Sequence, residues 1–204
     1  MKDKTTYLTV SGRSEGMYKE KGSKFIGIAV PCSSADHAKA LLAEMSKEHH
    51  QSRHLCYAYR LGLKGDDYRV NDDGEPSYSA GAPILGQLQS FEVSNILIGV
   101  VRYYGGTKLG VGGLINAYRT AAKEALISAD IVEHEVYEWV QISFDYADMP
   151  TVMNLLKKHK LEMRENIFEL SCTLKTNLSL PLADGVKAAL EALDSVKVDT
   201  LGIY

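Results

Sequence analysis

Residues 96–129 read ILIGVVRYYGGTKLGVGGLINAYRTAAKEALISA, and their pattern predicts a strand, a glycine-rich loop and a helix. Ile96–Tyr103 is an almost continuous apolar and β-branched run, which is typical of a strand buried on both faces. Small and apolar residues then recur at helical spacing, whereas polar residues share the opposite face. The inward set is Leu114, Tyr118, Ala121, Ala122 and Ala125, and the outward set is Asn116, Arg119 and Lys123.

The loop between this strand and helix is unusually rich in glycine. Its glycines are Gly105, Gly106, Gly110, Gly112 and Gly113. Each glycine costs about 0.5–1 kcal/mol of additional chain entropy on folding, so we expect positive φ angles or close backbone approach in this loop. Free N–H groups at the helix start, together with Arg102 and Lys108, would suit a phosphate. A tight connection between strand and helix explains the glycines equally well, because the spacing matches neither a P-loop nor a dinucleotide fingerprint.

Composition places the chain among ordinary globular proteins. It has 204 residues, 45% hydrophobic and 24% charged, with a net charge of −3. Residues 1–134 are nearly balanced in charge, whereas residues 135–204 are acidic, so any phosphate-binding surface is expected in the first part. Three dispersed cysteines, no signal-peptide pattern and no membrane-length apolar run predict a cytoplasmic protein with no membrane partner.

A second polar loop, NDDGEP at residues 71–76, contains the carboxylates of Asp72, Asp73 and Glu75. Such carboxylates can hold Mg²⁺ beside a phosphate or serve acid–base chemistry, and they can equally form a solvated turn. Ser77 or Ser79 is predicted to cap the helix that follows. If that helix start and the glycine loop open on one cleft, they would form a composite anion site.

The remaining pattern predicts an α+β chain. Strands are expected at residues 7–10 and 18–32, with a hairpin turn or bulge at Gly22, then a helix over Ala35–His49 capped by Ser34 and a strand over His54–Arg60. Residues 136–203 follow the order strand, helix, strand, strand, helix, strand, which is the ferredoxin-like βαββαβ arrangement.

Three segments together resemble one protein family. They read GSKFIG (22–27), HLCYAYR (54–60) with DDGEPS (72–77) and AGAPIL (80–85), and VRYYGGTKLGVGGL (101–114). The chain is similar over essentially its full length to the bacterial YigZ proteins, which share their N-terminal domain with the eukaryotic translation regulator IMPACT. It departs from the family at Tyr78, where a glycine is usual.

The resemblance implies two domains. Residues 1–132 would form an IMPACT-type domain that resembles the second domain of a small-subunit ribosomal protein. Residues 133–204 would form a ferredoxin-like domain that resembles the last domain of elongation factor G. These relatives act on or near RNA, which implies RNA, ribosome or protein partners.

Two functional hypotheses follow from these observations. The first is a non-catalytic, translation-associated regulatory protein without a cofactor or a metal, which binds RNA, ribosome or a protein partner through the glycine-loop cleft. Its cations would be Arg60, Arg102, Lys108 and Arg119, and its stacking rings Tyr57, Tyr103 and Tyr104. The second is a Mg²⁺-dependent enzyme acting on a phosphorylated small molecule or nucleotide, with Asp72, Asp73 and Glu75 at the metal. The sequence identifies no nucleophile or catalytic base, and it leaves the oligomeric state open.

Overall fold

A computed structural model describes residues 5–203 and has a mixed α/β architecture with antiparallel sheets. The chain divides into two compact units. The first comprises residues 7–134, and the second comprises residues 135–203 with Thr5 and Thr6.

The first unit combines runs of one to three strands with single helices. In chain order they are β1 (Thr6–Val10), β2 (Ser14–Glu20), β3 (Ser23–Pro31), α1 (Ala35–Glu48), β4 (His54–Leu61), β5 (Asp67–Asn71), α2 (Gly81–Ser90), β6 (Ile96–Tyr103), α3 (Gly110–Ile127) and β7 (Ile131–Glu135). Strands β1 and β7 form a two-stranded sheet. The other five form an antiparallel sheet in the order β2-β3-β6-β4-β5.

Strand β6 occupies the centre of that sheet and is buried on both faces, as its apolar run predicts. One face packs against α2 and α3, with Ile96, Ile98 and Val100 in that core. The other face packs against α1, with Leu97 and Val101 in a second core. A helix–sheet–helix sandwich therefore carries the glycine loop at its edge, where β6 ends and α3 begins.

Helix α3 lies unusually close to the sheet. A Cβ added to Gly27 of β3 would lie 2.3 Å from the carbonyl oxygen of Ala121, and one added to Gly16 of β2 would lie 2.2 Å from the amide nitrogen of Ala125. Such distances are far inside van der Waals contact, so only glycine allows this approach. The close packing sets the position of the start of α3 relative to the end of β6.

Several local predictions for this unit are confirmed. Ser34 caps α1, accepting a hydrogen bond from the His37 amide at 3.1 Å. Lys21 and Gly22 have φ angles of 45° and 80° and form the hairpin turn between β2 and β3. The inward residues of α3 are buried and its outward residues are exposed. Strands β5 and β7 were not predicted, because their patterns are short and largely exposed.

The second unit follows the predicted order of elements. They are β8 (Tyr137–Asp145), α4 (Met149–Lys158), β9 (Arg164–Phe168), β10 (Ser171–Ser179), α5 (Leu180–Glu191) and β11 (Lys197–Ile203). The four strands form an antiparallel sheet in the order β11-β8-β10-β9. Its core joins alternate residues of β8 and β10, such as Ile142 and Leu174, to Val152 of α4 and Val186 of α5. Across residues 5–203, no helix combines the length and apolar character needed to cross a membrane.

Candidate functional site: a cation-lined cavity at the start of α3

A cavity of about 470 Å³ opens in the first unit, where the end of β6, the start of α3 and the loop after β5 meet. Its charged and polar lining is Arg53, His54, Glu75 and Arg102 with Lys108, and its remaining lining is Pro76, Tyr104, Leu109, Gly110, Val111 and Leu114. A few cations on a largely apolar wall are typical of a site for a ligand with an anionic group and a flat or apolar part.

Arg102 and Glu75 form a buried ion pair at the cavity. Arg102 Nη1 donates to Glu75 Oε1 at 2.5 Å, and the side chains are only 8% and 5% exposed. Tyr118 of α3 donates its hydroxyl to the same oxygen at 2.8 Å. The pair thus joins β6, α3 and the loop after β5, which are the three segments that shape the cavity.

The Arg102 guanidinium is further enclosed by aromatic rings. It lies 5.5 Å from the ring centre of Phe25 and 5.3 Å from that of Tyr104. Register explains the first contact, because Phe25 of β3 pairs with Arg102 of β6. Arg102 Nε is buried without a hydrogen-bond partner among the described residues. The guanidinium therefore retains unused donor capacity beside the cavity, in a low-dielectric setting where an added anion would interact strongly.

Tyr118 and Cys56 are buried next to this ion pair and remain protonated. Burial raises the pKa of the Tyr118 phenol far above its ordinary value, and the nearby Cys56 and Glu75 raise it further. Burial likewise raises the pKa of the Cys56 thiol. Since the thiolate is the reactive form of cysteine, Cys56 is suited to packing and not to nucleophilic attack. Its Sγ donates to the carbonyl oxygen of Asp72 at 3.0 Å.

The glycine loop meets both physical expectations raised by its composition. A Cβ on Gly105 would lie 1.9 Å from the carbonyl carbon of Gly22, and the Gly105 amide donates to Ser23 Oγ at 3.1 Å. Gly106 and Gly110 have φ angles of 87° and 72°. A Cβ added to Gly112 would meet no heavy atom within 4 Å beyond the neighbouring backbone of its own helix, and its φ is not positive, so neither reason applies to this glycine.

The start of α3 carries no internal cap. Leu109 is the N-cap residue, no side-chain hydrogen bond caps the helix, and its first turn contains no acidic residue. The first N–H groups of a helix lack intrahelical partners and carry partial positive charge. Leu109, Gly110 and the exposed Lys108 all line the cavity, so this helix start faces it.

The cap of α2 comes from the acidic loop and not from the predicted serines. The Asp72 carboxylate accepts hydrogen bonds from the amides of Tyr78, Ala80 and Gly81, so it caps α2 across the loop. The prediction that Ser77 or Ser79 caps this helix is wrong: Ser77 is exposed and makes no cap, and Ser79 Oγ donates to the carbonyl of Pro76 at 2.6 Å. The α2 start does not line the cavity, and so the composite site from two helix starts does not form.

The carboxylates proposed to hold a metal are engaged by the protein. Asp73 Oδ2 accepts from the amide of Leu55 at 2.7 Å, Asp72 holds three amides, and Glu75 holds Arg102 and Tyr118. Within residues 5–203, no group of three His, Cys, Asp or Glu side chains has an arrangement that could hold a metal ion. Tyr78, which follows this acidic loop, adopts a φ of 63° and is 76% exposed.

Only some of the binding residues predicted from the sequence line the cavity. Arg102, Tyr104, Lys108, Gly110 and Glu75 line it, whereas the other candidate glycines do not. The Arg60 guanidinium is held by backbone carbonyl oxygens, so it anchors a loop elsewhere; these oxygens belong to Lys64, Gly65, Leu88 and Val93. Arg119 is exposed on the outer side of α3 and does not line the cavity.

Two of the three tyrosines expected to stack with bases pack elsewhere. Tyr57 stacks on Tyr59 on the α1 side of the sheet, and the Tyr103 hydroxyl lies 2.9 Å from His49 Nδ1. Sequence reasoning missed the cavity residues Arg53 and His54. Their position follows from the pairing of His54 with Arg102 between β4 and β6, which depends on strand order and register.

Comparisons with known proteins agree with the resemblance drawn from the motifs. The family model for the Impact N-terminal domain matches residues 21–126. The IMPACT family member YvyE of Bacillus subtilis (strain 168) is 32% identical over 160 residues, covering 78% of this chain and 74% of that protein. YigZ of Escherichia coli (strain K12), another IMPACT family member, is 41% identical over 108 residues, covering 52% of this chain and 53% of its own.

A solved structure, described as that of a hypothetical protein, is similar across both chains. It has a TM-score of 0.77 and 26% sequence identity, and the match covers 98% of each chain. The mixed α/β architecture is therefore shared with an experimentally determined structure. From the domain match, the relatives and this architecture together, the chain belongs to the IMPACT family.

Proposed function

We propose that the cavity at the start of α3 binds a nucleotide of single-stranded RNA, and that the protein is a non-catalytic, translation-associated regulator. The observation that carries this proposal is Arg102, which lines the cavity and whose buried Nε has no hydrogen-bond partner among the described residues. A phosphate oxygen would supply the missing acceptor and an additional counter-charge.

The surroundings of Arg102 support a nucleic-acid ligand over a free anion. Arg53 and Lys108 are exposed at the same cavity, and the uncapped start of α3 adds N–H donors. Tyr104 is 44% exposed and places its ring next to the Arg102 guanidinium. An aromatic face beside clustered cations is the usual arrangement for stacking an unpaired base while its phosphate is held.

The Mg²⁺-dependent enzyme has no specific observation in its favour. All three carboxylates of the acidic loop accept hydrogen bonds from the protein's own groups. Within residues 5–203, these carboxylates also do not come together with a third ligand in an arrangement that could hold a metal ion.

The remaining assignments form part of the same proposal. Residues 1–132 are assigned as an IMPACT-type domain with the ribosomal-protein domain-2-like fold, and residues 133–204 as a ferredoxin-like domain. The element order and strand order of the second unit support the latter. Free buried cysteines are compatible with a cytoplasmic location, and the ribosome is proposed as the source of the RNA.

Fluorescence anisotropy with a labelled octaribonucleotide tests the proposal. Lys108→Ala should weaken binding several-fold and reduce the slope of log K against log salt concentration by about 1. The matched control is Lys123→Ala, which removes an exposed lysine of α3 away from the cavity.

The same titration tests the aromatic contact. Tyr104→Ala should weaken binding at least about fivefold, since stacking a base on an aromatic ring contributes about 1–3 kcal/mol. Tyr68→Ala, which removes the ring of a residue 55% exposed on β5, should leave affinity unchanged. Absence of binding at low salt, or equal effects of the cavity and control variants, would refute RNA binding at this cavity.

A further inference from the structure

His54 lines the cavity and carries a fixed hydrogen-bond acceptor. Its Nδ1 lies 2.7 Å from the carbonyl oxygen of Asp73. A carbonyl oxygen can only accept, so Nδ1 carries the proton in this contact. In the neutral ring, Nε2 then has a free lone pair and no hydrogen.

The contact that selects this tautomer is itself held in place. The Asp73 amide donates to Asn71 Oδ1 at 2.7 Å, and the Asp73 carboxylate accepts from the Leu55 amide at 2.7 Å. The Gly74 backbone passes beside the imidazole, where an added Cβ would lie 3.7 Å from the ring. The loop thus sets both the orientation and the tautomer of His54. A side chain that recognises one hydrogen-bond donor of a ligand requires both to be fixed.

Nε2 is also available. No hydrogen bond joins it to any group of residues 5–203, and it is not among the buried unpartnered atoms of that range. His54 is half-buried and lines the cavity, in register with Arg102 on the neighbouring strand.

The other charged and polar groups at the cavity are complementary to a different part of a ligand. Arg53, Arg102 and Lys108 are donors and cations, as are the first amides of α3. Glu75 is an acceptor whose Oε1 is bound by Arg102 and Tyr118, and whose negative charge is paired with Arg102. A ligand that satisfies the cavity therefore needs an anionic group for the cations and, close to it, a hydrogen-bond donor for His54.

RNA combines these two groups in every nucleotide, because its 2′-hydroxyl lies next to the 3′-phosphate. DNA offers the phosphate without the hydroxyl, and the 2′-hydroxyl is the group through which proteins distinguish the two. We infer that His54 accepts a hydrogen bond from the ribose 2′-hydroxyl of the bound nucleotide, so that the cavity selects RNA over DNA. This inference rests on the nucleic-acid binding proposed above.

The test compares octanucleotides of one sequence in ribo, deoxy and 2′-O-methyl forms, titrated near pH 8, where an ordinary imidazole is neutral. The wild-type chain should prefer the ribo form over each of the others by roughly tenfold, the effect of one well-placed hydrogen bond. The 2′-O-methyl form retains an oxygen but has no donor, so it separates hydrogen bonding from sugar shape.

Two variants of His54 separate recognition of the 2′-hydroxyl from a structural role of this side chain. In His54→Asn the amide nitrogen occupies the place of Nδ1, so the bond to Asp73 is retained while Nε2 is removed. This variant should bind all three forms with the wild-type affinity for DNA. In His54→Gln the longer amide reaches towards the former Nε2 position, and part of the ribo preference should return.

The outcomes distinguish this inference from the proposed function. Equal binding of ribo and deoxy forms by the wild type, or an undiminished preference in His54→Asn, overturns the role of His54 and leaves the cavity as a general phosphate site. Equal weakening of all three forms in His54→Asn indicates a structural role and also overturns it. Failure of every form to bind the wild type overturns both proposals.

Discussion

Replacing Glu75 with alanine should destabilise the first unit more than most single substitutions. The change removes the carboxylate that Arg102 Nη1 contacts at 2.5 Å, and both side chains are more than nine-tenths buried. Breaking a buried ion pair from one side costs about 3–5 kcal/mol, because the remaining charge loses its partner. The Tyr118 hydroxyl also loses its acceptor, at about 1–3 kcal/mol.

Water entering the cavity can hydrate part of the guanidinium, which offsets some of this loss. We therefore expect the free energy of unfolding to fall by about 4 kcal/mol in Glu75→Ala. Glu75→Gln retains an oxygen for both donors and loses only the charge, so about 2 kcal/mol is expected. Removing both charges in Glu75→Ala/Arg102→Met should cost less than the sum of the two single changes.

Urea unfolding followed by far-ultraviolet circular dichroism measures these differences. Trp139, the single tryptophan of the chain, lies in the second unit, and its fluorescence reports that unit separately. The circular-dichroism transition of the variants should shift to lower urea. A fall in the free energy of unfolding below about 1 kcal/mol for Glu75→Ala would refute the conclusion that the ion pair holds β6, α3 and the acidic loop together. Simple additivity of the two single changes in the double variant would also refute it.

Two further predictions concern backbone geometry, and urea unfolding measures both. Gly27→Ala would place a Cβ 2.3 Å from the carbonyl oxygen of Ala121, so α3 must move outwards at a cost of about 3 kcal/mol. At Gly86 in α2 an added Cβ would meet no heavy atom within 4 Å beyond the neighbouring backbone of its own helix, so Gly86→Ala should stabilise the protein by about 0.5–1 kcal/mol. Equal effects of the two substitutions would contradict the close packing of α3 on the sheet. Tyr78→Gly should stabilise the protein by about 0.5 kcal/mol, because the backbone strain relieved at a φ of 63° exceeds the entropy cost of glycine and the exposed side chain loses little packing. Tyr78→Ala should not stabilise it, because alanine keeps the Cβ. A loss of stability in Tyr78→Gly would contradict backbone strain at this position.

Elements defined by short-range patterns were accessible from the sequence. The cap of α1 by Ser34 joins residues three apart, and the turn at Lys21 and Gly22 depends on neighbouring residues. The buried face of α3 follows from spacing along one helix. The sheet-edge strands β5 and β7 escaped prediction, because they lack the alternating burial that identifies a strand.

The candidate site was only partly accessible, because its geometry depends on distant pairings. Arg60 looked like a ligand cation until its guanidinium was found on carbonyls as far as 33 residues away. Asp72 looked like a metal ligand until it was found capping α2 from nine residues upstream. Both side chains are charged and near motifs, and the sequence offers no rule for telling an anchored charge from a free one.

The amino-acid sequence by itself determined the helices, the strands other than β5 and β7, the family, and the presence of a glycine loop with cations near the start of α3. These properties arise from interactions between residues a few positions apart, which the chain displays directly. The tertiary structure alone decided which cations are free, that Glu75 and Tyr118 hold Arg102, and that His54 faces the same cavity. Those relations follow from strand register and from the close approach of α3 to the sheet, and both emerge only when distant segments pack together.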